Sequence, residues 1–412
     1  MNNLGWIDFS RSHYNKVMLV MDMFKETGVI DELGLGTIRD AISDILFPGT
    51  STIQTRAKYF LLIPWIMQDI EQRGKTEQYQ SELEKAEINF IKVLEKYSLS
   101  NTGIIGVRSR NPKRKPSSIY WHGLKTYGIL KFKDSLSDYI NYQKRNVKEQ
   151  QTNKKLIIET DENIPGDDKD ANHLYHKHLW SSMPKPAKNW KEELIIELTK
   201  DEAVFLKNKI IMSAPESLWA YALKHCTEEA KNYTSIEDFL SIDNFPKELS
   251  DIIQLAVNFN TIMQGAVLRY NLLIQMNREN ENAEKFQSYW ENYWQKIKSF
   301  NWNNWDTKKL WTYCPLTPLP SKHFVEQWIE IVKKKEFNQE LANKLLKERE
   351  LKLKGLKRAR LRDKSLAQKQ ESPTGIFISE NGTVSYLTYR WNNVKTFLSD
   401  IQNGLENNVT TE

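Results

Sequence analysis

Cysteine is scarce in this sequence: Cys226 and Cys314 are the only two among 412 residues. Two cysteines can build neither a disulfide framework nor a four-cysteine zinc site. Such scarcity is typical of proteins in a reducing compartment. We therefore predict a cytoplasmic location.

Segments that would direct the chain into a membrane are also missing. The first ten residues, MNNLGWIDFS, lack the basic start and the apolar stretch of a secretory signal. The most apolar run, Tyr59–Met67, has about half the length needed to cross a bilayer and contains Pro64. We predict no transmembrane helix and no membrane partner.

Familiar catalytic motifs are absent as well. The sequence has no Gly-x-x-x-x-Gly-Lys-Ser/Thr phosphate loop, no Gly-x-Ser-x-Gly nucleophile elbow and no His-Glu-x-x-His zinc motif. Gly34 and Gly36 lack the preceding strand and the third glycine of a dinucleotide site. These absences favour a protein without catalytic activity and without a cofactor.

Large apolar side chains, in contrast, are plentiful. Hydrophobic residues make up 40% of the chain, including 13 Trp, 17 Tyr and 16 Phe. This apolar area is enough for a folded protein, and the length favours two or three domains.

The positive charge is concentrated in one segment. The chain carries a net charge of +6, but Lys333–Lys369 alone holds fourteen Lys or Arg against five Asp or Glu. A cationic segment can neutralise phosphates and release counterions, which indicates nucleic acid as a partner. The competing interpretation is a solvated helix face.

Hydrophobic periodicity predicts a mainly α protein (α+β with minor β) built from multi-helix bundles. The predicted segments are an N-terminal helical domain (1–100), a basic loop with a helix and a strand (101–143), a polar linker or insertion (144–190), a second helical domain (191–335), a long basic helix (336–372) and a β-hairpin with a closing helix (373–412).

Three local patterns refine this outline. Thr50-Ser-Thr52 is expected to cap a helix from Ile53 to Gln68. The basic loop, the helix after it and the strand-like Ile129–Phe132 are compatible with part of a winged-helix module. Asn381-Gly382 between two β-rich stretches predicts the C-terminal hairpin.

Short sequence strings near both ends of the chain resemble those of a known protein family. They are Leu4–Ser10 and Gly36–Ile66 near the N-terminus, and Leu387–Trp391 with Phe397–Ile401 near the C-terminus. They resemble an uncharacterised bacterial family, domain of unknown function 6361. The resemblance implies no reaction and no catalytic residues. It does imply a genomic context of helicases, nucleases and methylases typical of antiphage defence, and hence nucleic acid.

Two cationic segments are the candidate nucleic-acid contacts. The first lies in a proline-containing loop that leads into a helix, whose N-terminal amides could also accept a phosphate. The second lies in the predicted long basic helix. The candidate residues are Arg108, Arg110, Lys113, Arg114, Lys115, Lys352, Lys354, Lys357, Arg358, Arg360, Arg362 and Lys364.

Other clusters favour simpler interpretations. Three aspartates and three histidines within 167–178 could bind a metal, but such spacings arise by chance in polar sequence. Asp168-Lys169 and Asp306-Thr-Lys308 are weak fragments of a nuclease site. The aromatic residues of 289–313 have interleaved lysines and could stack bases, although helical spacing favours a core role.

These observations lead to one main hypothesis and two alternatives. The main hypothesis is a non-catalytic, nucleic-acid-associated subunit or adaptor of a bacterial antiphage complex, binding DNA beside a helicase or nuclease partner. One alternative is a divergent metal-dependent nuclease or other nucleic-acid enzyme. The other is a protein-interaction scaffold that does not bind nucleic acid.

Overall fold

The computed structural model describes residues 31–75, 77–145, 179–279, 282–368, 377–378 and 384–406, and this part of the chain is mainly helical. The α-helices are α1 (Gly36–Leu46), α2 (Tyr59–Gln72), α3 (Tyr79–Tyr97), α4 (Pro116–Thr126), α5 (Lys200–Ser213), α6 (Leu218–His225), α7 (Thr227–Ala230), α8 (Lys247–Arg278), α9 (Asn282–Lys298), α10 (Thr307–Tyr313), α11 (Leu319–Val332), α12 (Gln339–Lys354), α13 (Lys364–Gln368) and α14 (Trp391–Glu406). Residues 136–145 are also helical, and 3₁₀ turns occupy Ile236–Ser241 and Trp302–Asn304.

The chain forms two compact units, and each is assembled from segments that are distant in sequence. The first unit contains the described residues up to Arg39 together with Val257–Leu387. The second contains Asp40–Ala256 together with the chain from Thr388 onward. The domain boundaries expected from the sequence stay predictions.

The core of the first unit is organised around one backbone carbonyl. Trp328 Nε1 and Tyr293 Oη each donate to the Ile262 oxygen of α8, both at 3.0 Å. Both rings are buried, so their polar atoms need a partner inside the core. Gly265 lies one turn further along the helix and leaves the space that the Tyr293 ring fills.

The core of the second unit is centred on α2. Every residue of the apolar run Tyr59–Met67 is buried, including Trp65, as expected for a core anchor. Helix α14 packs against α5, where a Cβ at Gly404 would crowd Ala203 and Leu198. Among the helices that the structure describes, none is long and apolar enough to cross a membrane.

Helix α2 begins later than its sequence predicts, at Tyr59 rather than at Ile53. The preceding amides bind tertiary partners instead of a Thr50–Thr52 cap. The Tyr120 hydroxyl accepts the N–H groups of Thr55 (2.8 Å) and Arg56 (3.0 Å). Because these amides are satisfied by a residue of α4, the segment remains a loop.

Within the second unit, residues of the string Gly36–Ile66 bind residues of both C-terminal strings that resemble the family. Arg390 Nη1 donates to Asp44 Oδ1 (2.6 Å) and to the Thr50 oxygen (2.8 Å). Asp400 accepts from Arg56 Nε (2.9 Å) and forms an ion pair with the same guanidinium. These residues therefore join the two ends of the unit, and their role is structural.

The predicted winged-helix element is not supported. A wing requires paired strands, and within the described residues 101–145 only an isolated antiparallel bridge forms, between Leu130 and Trp180. Residues 136–145 continue as a helix. The fold is thus mainly α here.

Strand pairing near the C-terminus is short. Phe377–Ile378 (β1) and Val384–Ser385 (β2) pair antiparallel, with Phe377 opposite Ser385. Asn381 and Gly382, the expected turn, lie outside the described residues, so the hairpin itself stays a prediction.

The single basic helix expected over 336–372 is wrong. Helix α12 ends at Lys354, and Gly355 has a φ of +69°, a left-handed conformation that suits glycine at a helix end. Turns follow, and α13 begins only at Lys364. The helix stops because a buried carboxylate binds the chain that follows it, as described below.

Candidate nucleic-acid interface

The basic loop of the second unit has a defined backbone. Gly106 has a φ of +96°, and the N–H of Arg110 donates to its oxygen at 2.7 Å. A Cβ at Gly106 would lie 2.6 Å from Ile91 Cδ1 and 3.0 Å from Pro112 Cδ. The loop therefore packs closely against α3, and its side chains are presented from a fixed frame.

The cations of this loop fall into two groups. Arg110 forms an ion pair with Glu95, and Lys115 donates to Asn111. Arg108 and Lys113 are exposed and, within the described residues, have neither an ion pair nor a hydrogen bond. Arg114 is half-buried. Two of the five candidate cations here are thus available to a phosphate.

The N-terminus of α4, in contrast, is already occupied. Pro116 has no N–H, and the Ser117 N–H donates to the buried Glu87 Oε1 at 2.6 Å. The Glu87 carboxyl thus occupies the place at this helix N-terminus where an anion would bind. The suggestion that a phosphate binds at these amides is therefore disfavoured.

Two of the candidate cations in the first unit belong to a buried ionic cluster. Lys354 pairs with Glu32 and with Glu350, the latter at 2.9 Å, and Arg360 Nη1 lies 2.9 Å from Glu32 Oε1. Glu350 is fully buried and also accepts from the Tyr270 hydroxyl at 2.7 Å. Both positive charges are neutralised within the fold.

Glu350 also explains why α12 does not continue. Its carboxylate accepts the N–H of Arg360 (3.0 Å) and of Leu361 (2.8 Å), so residues 355–361 fold back onto the helix end. Asn277 Nδ2 holds the Leu361 oxygen at 3.2 Å. A four-residue spacing links Glu350 to Lys354 in the sequence, but no local pattern indicates Glu32.

The remaining cations of this segment lie on the surface. Lys364 pairs with Glu279, while Lys352, Lys357, Arg358 and Arg362 are exposed. Within the part of the chain described here, Lys352, Lys357 and Arg362 have no ion pair and no hydrogen bond. The Arg358 Nε donates to the Lys354 oxygen at 3.3 Å. The cationic surface is therefore smaller than the sequence suggests.

The possible metal ligands do not form a site in the described chain. Asp306 caps α10 by accepting the N–H groups of Lys308 (2.8 Å) and Lys309 (3.2 Å). Residues 167–178 lie outside the described residues, as does Trp6. Among the residues that the structure does describe, no group of three or more His, Cys, Asp or Glu is placed to hold a metal ion.

The aromatic stretch 289–313 divides between core and surface. Trp290 is buried, as predicted, whereas Trp294, four residues further along α9, is half-buried and stacks on it. Tyr293 is buried as well. Phe300, Trp302 and Trp311 are half-buried. The core interpretation therefore holds for Trp290 and Tyr293, whereas the other rings of this stretch keep part of their surface exposed.

Two acidic side chains make the stability of the second unit sensitive to pH. Glu71 Oε1 accepts from the hydroxyls of Tyr139 (2.6 Å) and Tyr79 (2.7 Å). Burial raises the pKa of Glu71 to about 7, and these hydrogen bonds offset only part of the rise. Burial likewise raises the pKa of Glu87 to about 7.

We expect the second unit to lose stability as pH rises from about 4.5 to about 7. In this window the folded state keeps a proton on Glu71 that the unfolded state has released, so folding becomes less favourable until both states are ionised. Glu71→Gln keeps an acceptor for both tyrosines and should stabilise the protein by about 1–3 kcal/mol at pH 8. Urea unfolding at several pH values measures this change.

The exposed Glu77 provides the control. Glu77→Gln should leave the pH dependence of the unfolding free energy unchanged. Equal pH profiles for Glu71→Gln and the unsubstituted protein would contradict this account of Glu71.

The fold and the charge distribution define a helical protein of two units, each of which exposes unpaired cations. The chain belongs to the family of unknown function DUF6361, which it matches over residues 1–172 and 163–403. No curated protein and no solved structure matches the chain.

Proposed function

We propose that this protein is a non-catalytic, nucleic-acid-associated subunit or adaptor of a bacterial antiphage complex. It binds DNA and acts with a helicase or nuclease partner. The defence context rests on what the family resemblance implies, and the DNA contact rests on the surface cations.

One observation carries the proposal. In each unit, some cations are neutralised by carboxylates while neighbouring ones remain exposed without a partner. Arg108 and Lys113 are the exposed members in the second unit, and Lys352, Lys357 and Arg362 are those in the first. Exposed cations on a fixed frame release counterions when they meet phosphates, and this gives affinity without base recognition.

Charge reversal should weaken DNA binding through its salt dependence. In R108E/K113E and in K352E/K357E, each lost phosphate contact should lower the slope of log K against log salt by about 0.9. Fluorescence anisotropy with a labelled duplex across a salt series measures the slope. The matched control is K224E/K247E, which makes the same change in charge at exposed lysines elsewhere in the second unit.

The outcomes separate the alternatives. If the control variant weakens binding as much as the two test variants do, the loss of affinity results from the change in net charge and not from the proposed contacts. Absence of binding even at low salt would favour the protein scaffold. Cleavage of DNA or RNA in the presence of Mg²⁺ or Mn²⁺ would favour the nuclease alternative.

The adaptor role has its own test. We expect the protein to co-purify from its native host with a helicase or nuclease, and this association should survive nuclease treatment. Loss of the partner on nuclease treatment would indicate that DNA alone connects the two proteins.

A further inference from the structure

The connection between α9 and α10 presents two aromatic rings at the surface of the first unit. Phe300 and Trp302 are half-buried, with ring centroids 4.8 Å apart and planes at 69°. Trp302 begins a 3₁₀ turn that Asn301 caps by accepting the Asn303 N–H at 3.1 Å. The turn is short, and the ring of Trp302 belongs to no larger core cluster among the described residues.

Side chains of α8 contact this connection. Asn258 Nδ2 of α8 donates to the Asn304 oxygen at 3.1 Å. Trp305 stacks on Phe259 with centroids 6.5 Å apart, and its Nε1 donates to Thr307 Oγ1 at 2.9 Å. These contacts fix the backbone directly after Trp302, which lowers the entropy cost of ordering this connection when a ligand binds.

Lysines flank the two rings in the sequence. Residues 294–309 hold four lysines and one aspartate, and Lys296, Lys298 and Lys308 are exposed. The aspartate, Asp306, already accepts two N–H groups at the start of α10. The stretch of chain that carries the rings thus has an excess of positive charge, which favours an anionic ligand over a neutral one.

We propose that Phe300 and Trp302 form a base-stacking site for single-stranded nucleic acid, with Lys296, Lys298 and Lys308 contacting its phosphates. Aromatic rings beside cations suit a single strand, because its base faces are open whereas those of a duplex are stacked inside. This inference rests on the proposed function and adds the single strand as the form of nucleic acid recognised.

The test compares three ligands of about 20 nucleotides: an oligothymidine strand, an abasic strand of equal length and a DNA duplex. The intact protein should bind oligothymidine more tightly than the abasic strand, since only the former has bases to stack. Trp302→Ala should weaken oligothymidine binding by about 5- to 100-fold and leave duplex binding unchanged. Trp302→Phe keeps a ring and should recover most of the affinity.

Trp311→Ala is the matched control. Trp311 is also half-buried, but its Nε1 donates to Glu326 at 2.9 Å and the Lys322 ammonium lies 5.3 Å from its ring centre. Its ring is therefore already engaged, and its removal should not affect oligothymidine binding. The unfolding midpoint of each variant checks that the fold is retained.

The results distinguish this inference from the function on which it rests. Duplex binding that depends on Arg108 and Lys113, together with no effect of Trp302→Ala on oligothymidine, would overturn the stacking site and leave the proposed function intact. No binding to any of the three ligands would overturn both. Equal affinity for oligothymidine and the abasic strand would also overturn the stacking site.

Discussion

Glu350→Gln should lower the free energy of unfolding by about 3–5 kcal/mol, because it removes one of the two buried carboxylates that balance Lys354 and Arg360 and breaks its hydrogen bonds. The Glu350 side chain is fully buried and pairs with Lys354 at 2.9 Å. Its two oxygens also accept from the Tyr270 hydroxyl and from the amides of Arg360 and Leu361. Glutamine keeps only one acceptor oxygen. Its amide NH₂ group is a donor and would face one of the donors that now bind a Glu350 oxygen. Urea unfolding measures the loss.

Glu348→Gln provides the control, since Glu348 is exposed on the same helix. It should change the unfolding free energy by no more than about 0.5 kcal/mol.

Lys354→Met should also destabilise the protein, yet leave the salt dependence of DNA binding unchanged, because Lys354 is held by Glu32 and Glu350. A reduced salt slope for Lys354→Met would contradict its assignment as a structural residue.

Gly265→Ala should destabilise the first unit by about 3–5 kcal/mol. A Cβ at this position would overlap the ring and hydroxyl of Tyr293. Tyr293 is buried and donates to the Ile262 oxygen at 3.0 Å, so its displacement would both strain the core and break a buried hydrogen bond. Thermal or urea unfolding checks this expectation.

A second substitution, at Tyr293, should make room for the alanine side chain at position 265. Tyr293→Leu removes the ring that a Cβ at position 265 would meet, so G265A/Y293L should be less destabilised than the sum of the two single variants. Additive effects would show that the overlap with Tyr293 is not the cause, and that α8 responds to the alanine in some other way.

Long helices with a strong apolar pattern could be predicted closely from the sequence. The pattern over Leu249–Met276 indicates one helix, and the structure has α8 at Lys247–Arg278. Helix ends were harder to predict where a tertiary partner binds the backbone. The start of α2 depends on Tyr120, which is distant in the sequence. The end of α12 depends on Glu350, which lies on the helix itself but binds the amides of Arg360 and Leu361 beyond its end.

In the candidate interface, too, part of the arrangement could be predicted from the sequence and part depends on the tertiary structure. The sequence shows how many cations a segment holds, but it does not show which of them are neutralised. Lys352 and Lys354 are two residues apart, yet Lys352 is exposed while Lys354 pairs with Glu32, more than three hundred residues earlier in the chain. The i,i+4 spacing of Glu350 and Lys354 is the one local signal of that cluster.

The sequence by itself determined that this protein is mainly helical, where its most regular helices lie and that it belongs to DUF6361, because these properties follow from local periodicity and from residue strings. Only the tertiary structure decided which cations face solvent and that Arg390 joins Asp44 and Thr50. Those outcomes depend on which distant segments pack together, since a charge or an amide is satisfied by whatever partner the fold brings within hydrogen-bond distance.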